Sequence, residues 1–415
     1  MKVAKWKVLT VAGALVLGYA VSSQAVQLKV DEDTFADFGF WTKIRYTYQD
    51  ELTKNGYEKN EFNVKDARFN IEGQVNKLVQ FYGEFVADSA VPGENGAKLE
   101  EAGINFAFIP EFQVRLTKGR IPFTRAQAAN DYALLDQLGP WYDPQDILKG
   151  NSVLYSGKDA GPLKLLRKSD GGAVVHGVVA NGMLKYSVGI FDTLNREKQL
   201  RDVMWAGRVE FSPPIAGFNA EPVDPIKGWV NDSYLGKKGD ILTIGLGFYS
   251  ETNADNIYWN GTAWTTSTNY GKDLDTTGWT VDAFLEKKFG CSVLNLEGGY
   301  INLNDSHFYY DAANNTKRGD TTIWYGQGQL FYDQVVGIGK PALYVRYENI
   351  SADGPDDDYD VQTWGVGVNY YIEGNAARLS AGFKNVNYDD DASDYLGSNG
   401  EDNITDWFVQ AQIMF

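Results

Sequence analysis

The eleven residues from Thr405 to Phe415 restrict the possible folds more than any other stretch of this chain. Side chains in an extended strand alternate between two faces. Trp407, Val409, Ala411, Ile413 and Phe415 then share one face, and Phe408, Gln410, Gln412 and Met414 the other. The first face is apolar with an aromatic at each end. The second carries two amides. A tilted strand needs about 9–11 residues to cross a bilayer, and aromatics at both ends match the two interfacial girdles of a membrane barrel. The competing assignment is the edge strand of a soluble sandwich, whose polar face meets bulk water and whose apolar face meets a second sheet.

The N-terminus separates the two. Lys2, Lys5 and Lys7 form a positive region, Val8 to Val21 is apolar, and Ser23-Gln24-Ala25 supplies the small residues of a cleavage site. Residues 1–25 therefore read as a secretory leader cut after Ala25, leaving 26–415 as a single domain. The apolar run falls short of the roughly 20 residues of a spanning helix. No comparable stretch follows, so residence in a membrane requires a closed β-barrel, which satisfies its own backbone groups.

Composition narrows the chemistry. One cysteine, Cys291, cannot form an internal disulfide, and two histidines, His176 and His307, give no Cys/His cluster for zinc. No metal and no cofactor are expected, and Cys291 reads as a small apolar filler after a tight turn. The formal charge is −17, and loss of the leader lysines makes it more negative. That excludes a basic nucleic-acid binder. Acidic runs at Asp353–Asp358 and Asp389–Asp391 sit in turn-rich segments and read as solvated outer loops. The sharper alternative is divalent-cation bridging to lipopolysaccharide.

From Phe38 to Phe415 the sequence divides into sixteen alternating segments, an even number that returns both ends to one side. Short turn-forming connections (Asn76-Lys77, Pro110-Glu111, Asn181-Gly182, Glu373-Gly374-Asn375) alternate with long polar ones such as Thr252–Asp275 and Asn304–Asp320. Short inner turns and long outer loops are the pattern of membrane barrels. Ser212 to Asp240 breaks it, being long on the short-turn side and rich in proline; it is expected as an irregular turn. The faces agree from strand to strand. Ala67, Phe69 and Ile71 are expected towards lipid, with Asp66, Arg68, Asn70 and Glu72 inward. A polar interior inside an apolar exterior implies a water-filled channel.

The longest gap between strands, Ile121–Gly172, is the third outer loop. It carries Tyr132, Leu134, Leu135, Leu138, Trp141, Tyr142 and Leu148, too many apolar groups for a disordered segment. It is expected to fold into the lumen; a cover over the barrel mouth or between subunits is the alternative.

Val64-Lys-Asp-Ala-Arg68-Phe-Asn-Ile-Glu72-Gly73, Glu100-Glu101-Ala102 and Arg115-Leu-Thr-Lys-Gly119-Arg-Ile-Pro122-Phe123 resemble segments of the phosphate-selective porin O and P family. The layout of the whole mature chain is similar, while the recognisable motifs fall in its first third. The resemblance implies a trimeric sixteen-stranded barrel in the outer membrane of a Gram-negative-type bacterium, with the third loop in the lumen. It implies passage of phosphate or another oxyanion along a ladder of basic residues.

The charges depart from that pattern. Inward-facing bases are expected at Lys43, Arg45, Arg68, Arg115, Lys185, Arg208, Arg346, Arg378 and Lys384, with Arg125 and Lys149 on the third loop. Inward acids are expected at Asp66, Glu72, Glu84, Asp88, Glu101, Glu210, Asp282, Glu286, Glu297 and Glu348. Near balance gives a transverse field across a pore, not the one-sign funnel that draws anions. Lys43, Arg45, Arg68, Arg115, Arg125 and Lys149 are expected to form the anion-facing side, with Glu72, Glu101, Asp282, Glu286 and Glu297 as the acidic side. The partners are then lipid, lipopolysaccharide, small solutes and ions, and two further copies of the chain. Loop aromatics such as Tyr258, Trp259, Trp264, Tyr309 and Tyr310 leave a sugar path open as an alternative. An enzymatic barrel is the weakest reading. His176 has no serine in a recognisable motif, and Ser306-His307 are neighbours in sequence only.

Overall fold

The computed structural model describes residues 26–50, 59–87, 97–129, 169–192, 203–213, 217–224, 226, 233–254, 257–259, 264–266, 274–310, 316–354, 358–389 and 403–415. The expected leader, residues 1–25, lies outside the described residues.

The first half of the wall is β2 (Phe35–Asp50), β3 (Lys59–Gln74), β4 (Val79–Ala87), β5 (Ala97–Ile109), β6 (Phe112–Arg120), β7 (Ser169–Val179), β8 (Leu184–Asp192) and β9 (Val203–Phe211). The second half is β10 (Ile241–Ala254), β13 (Leu274–Phe289), β14 (Ser292–Tyr310), β15 (Thr316–Tyr332), β16 (Lys340–Ala352), β17 (Tyr359–Glu373), β18 (Ala377–Tyr388) and β19 (Asn403–Met414). Each pairs antiparallel with the next, β9 with β10 and β10 with β13. β19 pairs with β2, which closes a sixteen-stranded barrel. At the seam Phe40 and Phe415 exchange backbone hydrogen bonds of 2.8 and 2.9 Å. Three short strands lie outside the wall. β1 (Val26–Lys29) pairs with the foot of β2, and β11 (Ile257–Trp259) pairs with β12 (Trp264–Thr266).

All sixteen expected strands are present, and β6 runs from the Pro110-Glu111 turn to the start of the Ile121–Gly172 gap, as expected. Turn chemistry sets the short connections: Asn181 and Gly182 take φ of 55° and 89°, and Gly290 and Gly374 take 58° and 54°. Two long connections differ from expectation. Most of Asn304–Asp320 is strand, because a register shift between Leu303 and His307 lets β14 and β15 keep pairing. Thr252–Asp275 contains β11 and β12. Cys291 is exposed in its turn, so it is not the expected apolar filler.

The outer face explains the strand composition. Trp205, Leu246, Phe248, Trp279, Leu343, Val345, Val368, Trp407 and Val409 are all exposed. Water would not tolerate so large a contiguous apolar band; lipid does. Aromatic contacts lie towards both margins of the band. Towards the long loops, Trp324 meets Tyr347 at 4.8 Å, and Phe383 lies 4.9 Å from Trp364 and 4.7 Å from Trp407. Towards the short turns, Phe40 lies 4.9 Å from Phe69 and 5.5 Å from Phe415. In β3 the register shifts beside Lys65, so Phe62 before it and Phe69 after it both face out. Asp66 and Arg68 are buried on the inner face, and Ala67 lies between them on the outer one. No helix among the described residues is long and apolar enough to cross a membrane.

Candidate functional site

The inner face of β2 carries Trp41, Lys43 and Arg45, all buried. Arg68 on β3 lies 4.8 Å from the Trp41 ring centre and Lys43 lies 5.1 Å from it. Asp66 sits between the two cations, 4.0 Å from Lys43 and 3.1 Å from Arg68, and Arg68 also reaches Glu84 at 2.6 Å. Arg45 donates to Gln410 at 2.9 Å across the seam. Glu72 lies further along β3 and is half-buried. On β6, Arg115 is buried within electrostatic reach of Glu101 and Asp224. Glu101 pairs with Arg120 at 2.5 Å. The ring of His176 faces Asn105 at 3.0 Å, an amide and not a hydroxyl.

Acids and bases thus pair both within a strand and between strands, and the acids of the later strands have partners too. Arg208 on β9 gives two hydrogen bonds of 2.7 Å to Asp282 on β13, and one of 3.0 Å to Glu210. Lys185 on β8 lies 2.9 Å from Glu210. Arg346 and Lys384 pair with Glu348 and Asp406 at 2.6 and 2.7 Å. Arg378 reaches Gln412 at 3.1 Å.

The third loop begins inside the wall. After Arg120 the chain turns into a short helix, α1 (Arg125–Ala128), capped by Thr124 in a reciprocal box with Gln127. Arg120 donates to the Gln127 and Ala129 carbonyls at 3.1 and 2.8 Å, and Arg208 donates to Phe123 at 3.2 Å. Gly247 makes room: a Cβ there would sit 2.2 Å from the Phe123 carbonyl oxygen. Residues 130–168, including Lys149, lie outside the described residues, and β7 begins at Ser169, earlier than expected. Asp88 and the side chains of Tyr258, Trp259, Trp264, Tyr309 and Tyr310 also lie outside them.

Arg125 is fully enclosed, with no exposed side-chain surface. It forks onto Glu221 at 3.0 and 2.7 Å and reaches Glu297 at 3.3 Å. Its guanidinium lies 3.9 Å from the Phe284 ring centre. Glu297 also accepts from Tyr325 at 3.1 Å and Gln327 at 3.2 Å.

Glu221, which was not among the expected site residues, lies in Ser212–Asp240, whose described part is irregular as expected. The described part of this connection packs against the inner wall. Ser212 takes the Glu221 amide at 3.3 Å and meets Thr243 at 3.1 Å. Glu221 also meets Lys185 at 3.5 Å and the Tyr234 hydroxyl at 3.1 Å. Ile226 packs on Tyr82 of β4. Leu235 packs with Val293, Phe331, Ala342 and Tyr371 of β14 to β17. The chain returns through positive φ at Leu235, Gly236 and Gly239. Glu286, expected on the acidic side of the lumen, accepts from Ser233, Tyr234 and Gly236 of this connection at 3.0, 3.0 and 2.8 Å. The available sequence signal was a long connection on the short-turn side with apolar and aromatic residues among its prolines.

No family model matches the chain. An uncharacterized protein of Aquifex aeolicus (strain VF5) is 25% identical over 298 residues, covering 67% of this chain. The chain spans 60% of the length of that relative. OmpT, an outer membrane protein of Vibrio cholerae, matches with a TM-score of 0.55 at 13% identity, covering 94% of this chain and all of that one. It is also known in a trimer form, which matches at 0.50, 12% identity and 92% and 99% coverage. Salmonella typhi OmpF, solved with daunomycin, matches at 0.54 and 12% identity, covering 94% of this chain and all of that one. The anion-selective porin from Comamonas acidovorans matches at 0.53 and 11% identity, covering 92% of this chain and all of that one. These likenesses establish the fold: a closed sixteen-stranded antiparallel barrel of the shape seen in outer-membrane porins.

Proposed function

We propose that this barrel is a porin, a passive water-filled channel for small hydrophilic solutes and ions, and that it has no catalytic role. The supporting observation is the wall itself: among the described residues, an apolar outer band around an interior rich in guanidinium, ammonium, carboxylate and amide groups. A leader at 1–25 would deliver it to the outer membrane, among lipid and lipopolysaccharide. The trimer form of its structural neighbour favours a homotrimer.

The site we assign is the interior. Lys43, Arg45, Arg68, Arg115, Arg125 and Lys149 supply its basic lining, and Glu72, Glu101, Asp282, Glu286 and Glu297 its acidic groups. Phosphate or another oxyanion is the specialised substrate class that the motif resemblance suggests. Alternation of sign along the wall favours weak selectivity instead, because a one-sign ring is what anion pores require. Purified protein in a planar bilayer should give stepwise, ohmic conductance. The reversal potential in a chloride gradient, repeated with phosphate, decides the class. Strong anion preference with block by phosphate identifies an oxyanion channel, and weak selectivity a general diffusion porin. Absence of conductance from folded protein would sink the proposal.

A further inference from the structure

We infer that Glu221 is a selectivity-determining residue of this channel, carried into the lumen from the short-turn end to meet Arg125 of the third loop. This rests on the porin reading. The two residues enter from opposite ends of the barrel. Arg125 follows β6 at its long-loop end, and Glu221 follows β9 at its short-turn end. Their contact is a fork of two hydrogen bonds, 2.7 and 3.0 Å, the geometry that fixes a guanidinium in position as well as in charge.

The element that carries Glu221 is built and not a slack turn. It touches β4 through Ile226 and β14 to β17 through Leu235. Its return is pinned by three donors on the single carboxylate of Glu286. It thereby extends across part of the lumen below the third loop. Charge at such a level governs which ions pass, because a narrow, low-dielectric passage focuses the field.

The local balance gives the sign. Arg125, Lys185 and Arg208 sit among Glu210, Glu221, Asp282 and Glu297, linked pairwise by the contacts above. Removing the charge of Glu221 cancels the acidic excess of this group and frees one side of Arg125. Removing the charge of Arg125 deepens that excess. Glu221→Gln should therefore move the reversal potential towards anion preference, and Arg125→Gln towards cation preference. The exchanged pair Arg125→Glu with Glu221→Arg should return it towards the unmodified value. A connection with only a structural role would not produce shifts of opposite sign.

The experiment has two arms. In a Cys291→Ser background, Arg125→Cys with Glu221→Cys should be joined by a short bismaleimide in the folded barrel, seen as a changed gel mobility. Folding is checked by heat-modifiable migration. Absence of the cross-link in folded protein overturns the placement. In the second arm, reversal potentials are measured in a salt gradient for the unmodified protein and the three charge variants. Opposite shifts, with recovery in the exchanged pair, support the inference. A conducting protein whose variants all keep the unmodified reversal potential overturns the role of Glu221 alone. A cross-linked but never conducting protein overturns the porin reading, and the selectivity role with it.

Discussion

Arg208 on β9 and Asp282 on β13 are joined by two hydrogen bonds of 2.7 Å across an entire intervening strand. The strand between them is β10, and at the crossing point it presents Gly245. A Cβ at that position would lie 2.1 Å from the Arg208 Nη2 atom and 2.5 Å from the Asp282 Oδ1 atom. The missing side chain is what allows the guanidinium to lie flat against the wall.

Gly245→Ala should therefore break the pair rather than merely crowd it. Separating a buried pair leaves a charge without compensation, at a cost on the order of 3 kcal/mol. Thermal unfolding in detergent, followed by loss of heat-modifiable migration, should show the destabilisation. Gly326, on the outer face, has nothing within 4 Å of an added Cβ and serves as the control. Equal stability of the two alanine variants would contradict the crossing.

The lipid-facing assignment is testable on β19. Val409 is exposed on the outer face between Trp407 and Ile413. Val409→Lys should cost roughly 2–4 kcal/mol if that position lies near the bilayer midplane. Val409→Leu should cost little. Comparable refolding yields of the two variants into lipid would place Val409 outside the hydrocarbon.

Much of this fold was legible because strand alternation survives in a single sequence. The apolar faces of β17 and β19 repeat every second residue, and turn formers such as Asn181-Gly182 mark where each hairpin reverses. The inward bases Lys43, Arg45, Arg68 and Arg115 followed from the same period. Alternation says nothing about what lies inside the wall. The positions of Arg125 and Glu221 depend on contacts between segments 96 residues apart in the chain. Period also cannot say whether an inward acid faces solvent or, like Glu286, holds another segment. Nor could it reveal that pairing continues past Leu303, because a register shift breaks the alternation there.

Asp333, in the turn between β15 and β16, accepts from Lys288 at 2.7 Å and Lys340 at 2.6 Å. These two ammonium groups hold its carboxyl below the ordinary value of 3.8. A folded-state pKa below the unfolded one gives stability that is complete above that ordinary value. It is lost as pH falls through the lowered one. Asp333→Asn should cost roughly 0.5 kcal/mol at neutral pH, the scale of partly exposed ion pairs. The gap to the unmodified protein should close only on acidification below 3.8. A gap independent of pH would mean that the carboxylate charge contributes nothing.

The third loop carries a prediction of its own. Its first residues turn inward, and its length and apolar content call for a packing surface. Excising Asn130–Lys149 should raise single-channel conductance and admit larger solutes. Unchanged conductance in a folded variant would place that segment over or outside the pore.

The bonds between Phe40 and Phe415 belong to a seam that pairs β2 with β19, residues at nearly opposite ends of the described chain. The other pairings of the sixteen wall strands join consecutive wall strands. Closure must therefore be a late, non-local event, and its rate carries the entropy of bringing distant chain together. Until it occurs, two strands present unpaired backbone edges, which among other unfolded chains are templates for pairing. Damage to the seam should slow assembly and expose the chain to proteolysis and aggregation. The same damage within β15 would weaken a wall that had already closed.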